Sequence, residues 1–333
     1  MGEQSISVAL CTYNGEKYVR DQLESIARQT RLPDEMVICD DMSSDNTIAI
    51  VQGFASRAGF PVRCVLNDHN LGSTKNFERA IGLCNGSIIV LSDQDDVWMP
   101  DKLERVEKLF KEAPDVGAVF SNAEMVDENS NALGYSLWKS LAFSEKEQAS
   151  VANGHAMEVL LKHEVVTGAA MAFRSSFKLL VLPIPGCWVH DSWLALTIGA
   201  ISGLKPIDRP LIKYRIHSGQ QLGGPKEWFG AKVFRELRSI RKNRQRAFNK
   251  ALSDRNIELE RYTSAYDRLV ECKCVNEAAL NKLREKIAHI DSRINIMSRG
   301  RLPRAWLILR ELVSLKYQRY SYGFYGAIKD LVI

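Results

Sequence analysis

The chain has 333 residues, 45% apolar and 26% charged, with a net charge of +5 and seven cysteines. That length holds one large domain or two modest ones with a sizeable core, and the composition is ordinary for a soluble globular protein. It excludes two classes: no run of about 18 uncharged apolar residues offers a membrane span, and no basic-then-apolar leader opens the chain. Cys11, Cys39, Cys64 and Cys84 sit in or beside apolar stretches, as small core residues of a reducing compartment do, and Cys272-Lys273-Cys274 has no second pair at zinc spacing. A cytoplasmic protein is expected. Lysine and arginine outnumber aspartate and glutamate 24 to 12 over residues 226–333, against 21 to 28 in the rest of the chain. The first two thirds are therefore net acidic and the last third strongly basic.

Ile6–Cys11 is an apolar run with strand character, ending at the polar turn Thr12-Tyr13-Asn14-Gly15. Apolar residues at Tyr18, Val19, Leu23, Ile26 and Ala27 have the spacing of an amphipathic helix over 16–29. Met36–Cys39 is a second buried strand, followed by Asp40 and Asp41; Ser43-Ser44-Asp45 supplies capping chemistry for a helix over 47–58. A strand over 61–66, a turn at Asn67–Gly72 and a helix over 73–83 lead to the strand Ser87–Leu91. This alternation implies a mostly parallel, doubly wound sheet.

The last of these strands runs into Ser92-Asp93-Gln94-Asp95-Asp96-Val97-Trp98, three carboxylates within four residues. Such a cluster is either a solvated acidic turn or a cation site, because unpaired carboxylates are costly to bury and oxygen-only ligands suit a hard divalent ion. Open α/β sheets bind ligands just beyond the carboxyl ends of their strands, and two strands here end in acidic turns. Further on, the pattern predicts a helix over 101–111, a strand over 116–120, and a long irregular loop over 121–150 with a hairpin turn at Asp127–Asn131. A glycine-containing strand follows over 165–173, then a helix opened by Trp188–Trp193, and short strands over 205–216. After Gly223-Gly224-Pro225 basic helical patterns run to about Ser298, break at Leu302-Pro303, and resume over 305–315.

Taken together, Thr12-Tyr13-Asn14, Asp40–Asp45, Asn70-Leu71-Gly72, Ser92–Trp98, Thr167–Met171, His190-Asp191 and Tyr214–His217 resemble the inverting glycosyltransferases of family 2, over roughly residues 5–220. The acidic Asp93–Trp98 stretch and the Tyr214–His217 ending look most like rhamnosyltransferase-type members of bacterial surface-polysaccharide (O-antigen) synthesis. The resemblance implies a GT-A fold: an α/β, Rossmann-like, mostly parallel sheet with helices on both faces, in a catalytic domain over 1–224, followed by a basic helical region over 225–333. One departure is Met42, where the family usually has glycine; methionine there requires a conventional backbone angle.

By the same resemblance, Thr12, Tyr13 and Asn14 bind the nucleotide, Tyr13 stacking on its base, Asp41 accepts the base's imide N–H, and Asp40 supports the turn. Asp93 reaches the ribose and Asp95 holds a divalent ion, Mn2+ or Mg2+, with Asp93 and His217 as further ligands. His217 is alternatively a diphosphate contact or a surface histidine, Asp96 a water-mediated ligand or a cap, and Lys75 a diphosphate contact or a solvated lysine. Asp191 is the general base, against a plain helix N-cap; His190 orients its loop, and Trp188 and Trp193 line a sugar or pack in the core. The implied donor is dTDP-rhamnose, alternatively a UDP-hexose, and the implied acceptor a lipid-linked glycan. The basic tail is then an anchor on the inner membrane, through Arg304, Trp306, Arg310, Lys316, Tyr317, Arg319 and Tyr320, or a helical cover for the sheet domain. No nucleic-acid motif accompanies it. A nucleotidyltransferase is disfavoured because the turn after the first strand lacks the glycines and lysine of a phosphate loop. A nucleotide- or glycan-binding protein without turnover is the non-enzymatic alternative.

Overall fold

A computed structural model describes residues 4–220, 243–272 and 274–333. It divides into two compact units, one of residues 1–156 with 165–224, the other of 157–164 with 225–333. No local sequence signal assigns the short stretch 157–164 to the second unit.

The first unit runs β1 (Ile6–Thr12), α1 (Val19–Ala27), β2 (Glu35–Asp40), α2 (Thr47–Ala55), β3 (Val62–Leu66), α3 (Ser73–Leu83), β4 (Ile88–Ser92), β5 (Val97–Trp98), α4 (Lys102–Glu112), β6 (Val116–Val126), β7 (Ala132–Ser136), α5 (Leu137–Ser140), α6 (Glu145–Ala152), α7 (Ala156–Leu160, which enters the second unit), β8 (Met171–Arg174), α8 (Lys178–Val181), α9 (His190–Gly199) and β9 (Gly203–Arg215). The strands form one mixed sheet in the order β3-β2-β1-β4-β8-β6-β9-β5, with β7 paired to β6. β1, β2 and β4 are parallel, β1 and β4 buried along their whole length and β2 in all but Glu35, which is why they read as unbroken apolar runs rather than alternating ones.

Register decides where the site lies. Thr12 on β1 is opposite Asp40 on β2, and Leu10 is opposite Ser92 on β4, so all three strands deliver their polar ends to one edge. The chain crosses from β1 to β2 on one side and reaches β4 on the other, so this edge holds a topological switch point. The sheet then curls until β5 rests on α1: the Trp98 N–H donates to Ser25 Oγ (3.0 Å) and Gln29 Nε2 donates to the Met99 carbonyl (2.7 Å). The acidic turn 93–96 thus spans from mid-sheet to the far edge strand.

Several elements differ from expectation. The 121–150 loop is mostly regular: β6 continues to Val126 and turns at 127–131 into β7, and two short helices follow. Asp127 organises that turn, accepting the Asn129 and Asn131 N–H groups at 2.9 and 2.8 Å. The strand expected over 165–173 is only Met171–Arg174, because Gly168–Ala170 makes a 3-10 turn. The short strands over 205–216 are one thirteen-residue strand. Met42 adopts φ +65°, the left-handed conformation its side chain disfavours by about 1–2 kcal/mol, so the turn keeps a glycine-like backbone without the glycine.

The second unit is helical: α10 (Arg244–Glu271), α11 (Glu277–Met297), α12 (Arg301–Val313), α13 (Lys316–Tyr320) and α14 (Phe324–Val332). Residues 225–242, where the basic pattern begins, lie outside the described residues. The break before α12 falls at Gly300, its N-cap, and Pro303 sits inside the first turn, where its missing N–H costs nothing. Ile296, Ile308, Tyr317 and Ala327 form an apolar cluster. Beside it lies a buried polar network. Arg293 grips both Asp330 oxygens (2.5 and 2.9 Å), Tyr317 Oη donates to Asp330 Oδ2 (2.8 Å), His289 meets Glu311 (2.8 Å), and Lys286 meets Glu258 (2.7 Å).

This network turns inward much of what the sequence offered as a surface anchor. Arg304, Tyr317 and Tyr320 are buried, Arg304 Nη2 donates to the Met297 carbonyl (2.7 Å), and Lys316 pairs with Glu311. Burial by itself raises the carboxyl pKa values of Asp330, Glu258 and Glu311. The cations Arg293 and Lys286, and His289 with Lys316, outweigh it and hold all three below the ordinary range. A depressed folded pKa gives stability that is present above the unfolded value, about 4, and lost as pH falls through the folded one. The thermal midpoint of the helical unit is therefore expected to fall between pH 5 and about pH 2, read as loss of helical circular dichroism.

Candidate active site

Three loops meet at the carboxyl ends of β1, β2 and β4, and the first is tied to each of the other two. Asn14 donates its N–H to Ser43 Oγ (2.8 Å) and accepts the Ser44 N–H at Oδ1 (2.8 Å), joining the first loop to the second. The Gln94 amide clamps the Tyr13 backbone, accepting its N–H at 2.8 Å and donating to its carbonyl at 3.0 Å. Gly15 permits this, since a Cβ there would lie 2.2 Å from Gln94 Oε1. The clamp leaves the Tyr13 ring half exposed at the mouth.

Asp40 and Asp41 are both buried and both carry turns. Asp40 accepts Thr12 Oγ1 and Ser43 Oγ, each at 2.6 Å, and the Ser43 N–H at 2.8 Å. Asp41 accepts Asn67 Nδ2 (2.7 Å) and the backbone N–H groups of Leu71 (2.7 Å) and Gly72 (2.9 Å), so it also shapes the Asn70–Gly72 turn. Lys75 is not gathered with them: its ammonium is taken up by Glu78 Oε2 and the Ile184 carbonyl, both at 2.7 Å.

The 93–96 turn concentrates negative charge. Burial, Asp95 and Asp191 push the Asp93 carboxyl up to about 8, and burial with Asp95 and Asp93 raises Asp96 as well. Asp96 Oδ1 accepts the Arg215 N–H (3.0 Å), while its buried Oδ2 has no partner. The counter-charge is Lys102, buried beneath the turn with its ammonium 3.8 Å from the Trp98 ring centre and donating to the Ala169 carbonyl (2.8 Å). Burial pulls Lys102 down to about 7 against the pull of Asp96 and Asp93. Burial and the field of Asp96, Asp93, Asp95 and Asp191 also hold the Tyr214 phenol protonated.

Arg215 fastens this turn to the rest of the unit. Its Nε donates to the Asp95 carbonyl (2.8 Å), its Nη1 to the Glu128 carbonyl (2.9 Å), and its guanidinium lies over Tyr18. His217 Nε2 meets Asp95 Oδ2 at 2.9 Å, and its Nδ1 accepts the Gly219 N–H (3.2 Å). That acceptor places the proton on Nε2, aimed at Asp95. Among the described residues no group of three or more His, Cys, Asp or Glu side chains is gathered around one point; the structure joins Asp95 to His217 and leaves Asp93 outside that pair. The residues nevertheless fit a hard divalent cation: burial and the charge of Asp95 raise both Asp93 and Asp96, and a buried oxygen on Asp96 has no partner, an excess of negative charge that a cation offsets.

Asp191 lies in the first turn of α9, whose N-cap is Val189, so it is not the cap. Its two oxygens are held separately, Oδ2 by the Gly168 N–H (3.0 Å) and Oδ1 by the Ser192 N–H (2.7 Å). His190 is buried and stacked on Phe77, ring centres 4.0 Å apart, with neither ring nitrogen hydrogen-bonded. Burial lowers its pKa despite Asp191, so it stays neutral. Trp188 and Trp193 are both buried, and Trp193 Nε1 donates to the Val181 carbonyl, which accords with packing in the core. A Cβ on Gly168 would lie 2.5 Å from His190 Nε2 and 3.5 Å from Asp191 Cβ. Because Phe77 pins the histidine, Gly168→Ala is expected to shift the Asp191 carboxylate. Any activity that uses it falls about 10²-fold in kcat, with ligand affinity at the acidic turns unchanged by calorimetry.

Sequence reasoning missed Gln94, Lys102 and Gly168 as individual parts. It quoted Tyr214 and Arg215 only within a longer stretch. None carries a local signal, because each matters through a partner distant in sequence: Gln94 lies 81 residues from Tyr13 and Arg215 lies 119 from Asp96.

Comparison with known proteins agrees with this geometry. The sequence profile of the family described as Glycosyl transferase family 2 matches residues 7–178, just over half the chain. An uncharacterized glycosyltransferase of Nostoc sp. is 26% identical over 223 residues, 64% of this chain and 65% of that protein. The dTDP-rhamnosyl transferase RfbG of Shigella flexneri is 29% identical over 228 residues, 64% of this chain and 73% of its own. The UDP-Glc:alpha-D-GlcNAc-diphosphoundecaprenol beta-1,3-glucosyltransferase WfgD of Escherichia coli is 28% identical over 131 residues, 39% of this chain and 50% of its own. The chain spans between 36% and 65% of the first curated relatives it matches. Among solved structures, S. aureus TarS residues 1–349 in complex with UDP superposes with a TM-score of 0.57 at 15% identity, covering 98% of this chain and 89% of that one. The mannosyltransferase PcManGT of Pyrobaculum calidifontis, in complex with GDP-Man and Mn2+, gives 0.50 at 16% identity, covering 100% and 86%. These likenesses establish the GT-A type of fold. With the profile covering the three acidic and polar turns at the strand ends, the chain belongs to glycosyl transferase family 2.

Proposed function

We propose that residues 1–224 form an inverting, metal-assisted transferase that moves a sugar from a nucleoside diphosphate to a hydroxyl acceptor. The observation that carries this reading is electrostatic: Asp93, Asp95 and Asp191, from two distant segments, lie close enough for the last two to raise the first. A donor diphosphate and its ion on one side, and a proton acceptor on the other, need that juxtaposition.

In this reading Tyr13 stacks on the base at the mouth. Asp41, with three of its roughly four acceptor positions filled, keeps one for the base's imide N–H, while Asp40 holds the turn. Asp93 reaches the ribose. Asp95 would hold the ion, joined by His217 in its Nδ1–H tautomer, or His217 would turn its Nε2–H to a diphosphate oxygen. A bound divalent ion supplies Lewis-acid neutralisation of the charge that grows on the departing diphosphate. Asp191, fixed at both oxygens, takes the proton of the acceptor hydroxyl as its oxygen bonds to the anomeric carbon. The bond to the diphosphate breaks on the opposite face, and configuration inverts. Lys75, tied to Glu78, has no part.

We favour dTDP-L-rhamnose as donor and a growing lipid-linked glycan as acceptor; RfbG is named for the first of these. A UDP-hexose is the second reading, favoured by the UDP complex of TarS and the name of WfgD. Thymine and uracil present the same imide edge to Asp41, so the two readings share every base contact above. A thermal-shift and donor-hydrolysis panel of dTDP-, UDP- and GDP-sugars, with and without Mn2+, separates them. Stabilisation and slow release of dTDP or UDP, increased by Mn2+, is expected; response to GDP-sugars alone contradicts the base assignment.

A further inference from the structure

The helical unit presents a surface that the transfer reaction does not use. α12 buries Arg304, Ile308 and Glu311 against its neighbours, and its outer stripe is Leu302, Trp306, Leu309 and Val313, spaced four, three and four residues apart. Leu302, Trp306 and Val313 are 86%, 63% and 77% exposed. α14 packs beside it on the same apolar cluster through Ala327 and turns out Phe324, Ile328 and Leu331 at the same spacing, Phe324 being 70% exposed. Single exposed apolar residues are ordinary, but two aligned stripes on neighbouring helices mark a binding face.

The charge around the stripes identifies what it binds. Over residues 298–333 the acidic side chains are Glu311 and Asp330, and both are buried in the polar network. Arg299, Arg310 and Arg319 are exposed, and the Arg310 guanidinium lies 5.7 Å from the Trp306 ring centre. An apolar stripe with tryptophan and phenylalanine, in a stretch whose two acids are buried and whose exposed charges among the described residues include Arg299, Arg310 and Arg319, is the pattern of a helix lying in the interface of an anionic bilayer. Among the described residues no helix is long and apolar enough to cross a membrane, so the contact is with the surface. A second copy of the chain fits less well, because a two-fold contact sets each arginine rim against its own copy.

We infer that α12 and α14 form a docking face for an anionic lipid surface, with Leu302, Trp306, Leu309, Val313, Phe324 and Ile328 entering the headgroup boundary. The inference does not depend on the transfer reaction; of the basic-aromatic residues in the sequence it keeps Trp306, Arg310 and Arg319, drops the buried Arg304, Tyr317 and Tyr320, and adds the exposed aliphatic stripe. The test is co-sedimentation of the full chain with vesicles of phosphatidylcholine alone or mixed with phosphatidylglycerol. Binding to the mixed vesicles is expected. It should weaken about tenfold or more in Trp306→Ser/Leu309→Ser, and also in Phe324→Ser/Ile328→Ser. Arg310→Glu/Arg319→Glu should remove the preference for the anionic lipid. Circular dichroism melts should match the wild type, since the substituted side chains point outward. Absence of vesicle binding, or binding that the serine pairs leave unchanged, overturns the inference. So does a dimer in mass photometry that the serine pairs dissolve, which would give the face to a second copy.

Discussion

Asp191→Asn lowers sugar transfer about 10³-fold and leaves donor affinity where it was. The substitution keeps the shape of the side chain and one acceptor oxygen for a backbone donor, and removes the ability to take a proton. General bases contribute roughly 10²–10⁴-fold, and a loss in the middle of that range is expected for a carboxylate held in place by the Gly168 and Ser192 N–H groups. In the proposed reading donor binding is the work of Asp41, Asp93 and Asp95, so it should not change. The comparison of kcat with donor dissociation constant by calorimetry therefore reads the proton step alone. A binding protein without turnover would show neither effect, and equal loss in both quantities would mean that Asp191 holds the donor instead.

Asp95→Ala has the complementary signature. It removes the carboxylate that meets His217 and one of the two charges that push Asp93 upward. Transfer is expected to fall roughly 10²–10³-fold, in line with losing one group aimed at developing charge. Melting temperature should no longer rise on addition of Mn2+, and that readout needs no substrate. Without the extra charge the protein itself should be no less stable, since crowded carboxylates repel. A Mn2+ response as large as the wild type's would remove Asp95 from the ion's ligands.

The parts of this site legible in the sequence are those that a strand end determines locally. β1, β2 and β4 are continuous apolar runs because both faces of the parallel sheet are covered, and each run stops at a polar turn whose register neighbours are visible in the pairing of Thr12 with Asp40. Asp191 is proposed as a base only through the order of the preceding motifs; by itself it reads as a helix cap, and the structure gives the cap to Val189. The remainder was hidden for physical reasons. Lys102 looks like any charged residue at a helix start, yet the curl of the sheet buries it under the acidic turn. Met42 takes a left-handed angle because Asp40 and the Asn14–Ser43 bonds hold the turn on both sides, which outweighs the residue's own preference. In the helical unit, hydrophobic spacing identified helices but not which basic and aromatic residues face inward. That choice belongs to partners such as Asp330 and Glu311, whose burial no periodicity reveals.

Inversion at a sugar carbon, proposed from the Asp93–Asp95–Asp191 arrangement, is read most directly by proton NMR of the anomeric region during hydrolysis of dTDP-rhamnose or a UDP-hexose in the presence of Mn2+. The first-formed sugar is expected to have the opposite anomeric configuration to the donor, and Asp191→Asn to suppress its appearance. A first product of retained configuration, or release that Asp191→Asn leaves unchanged, contradicts it.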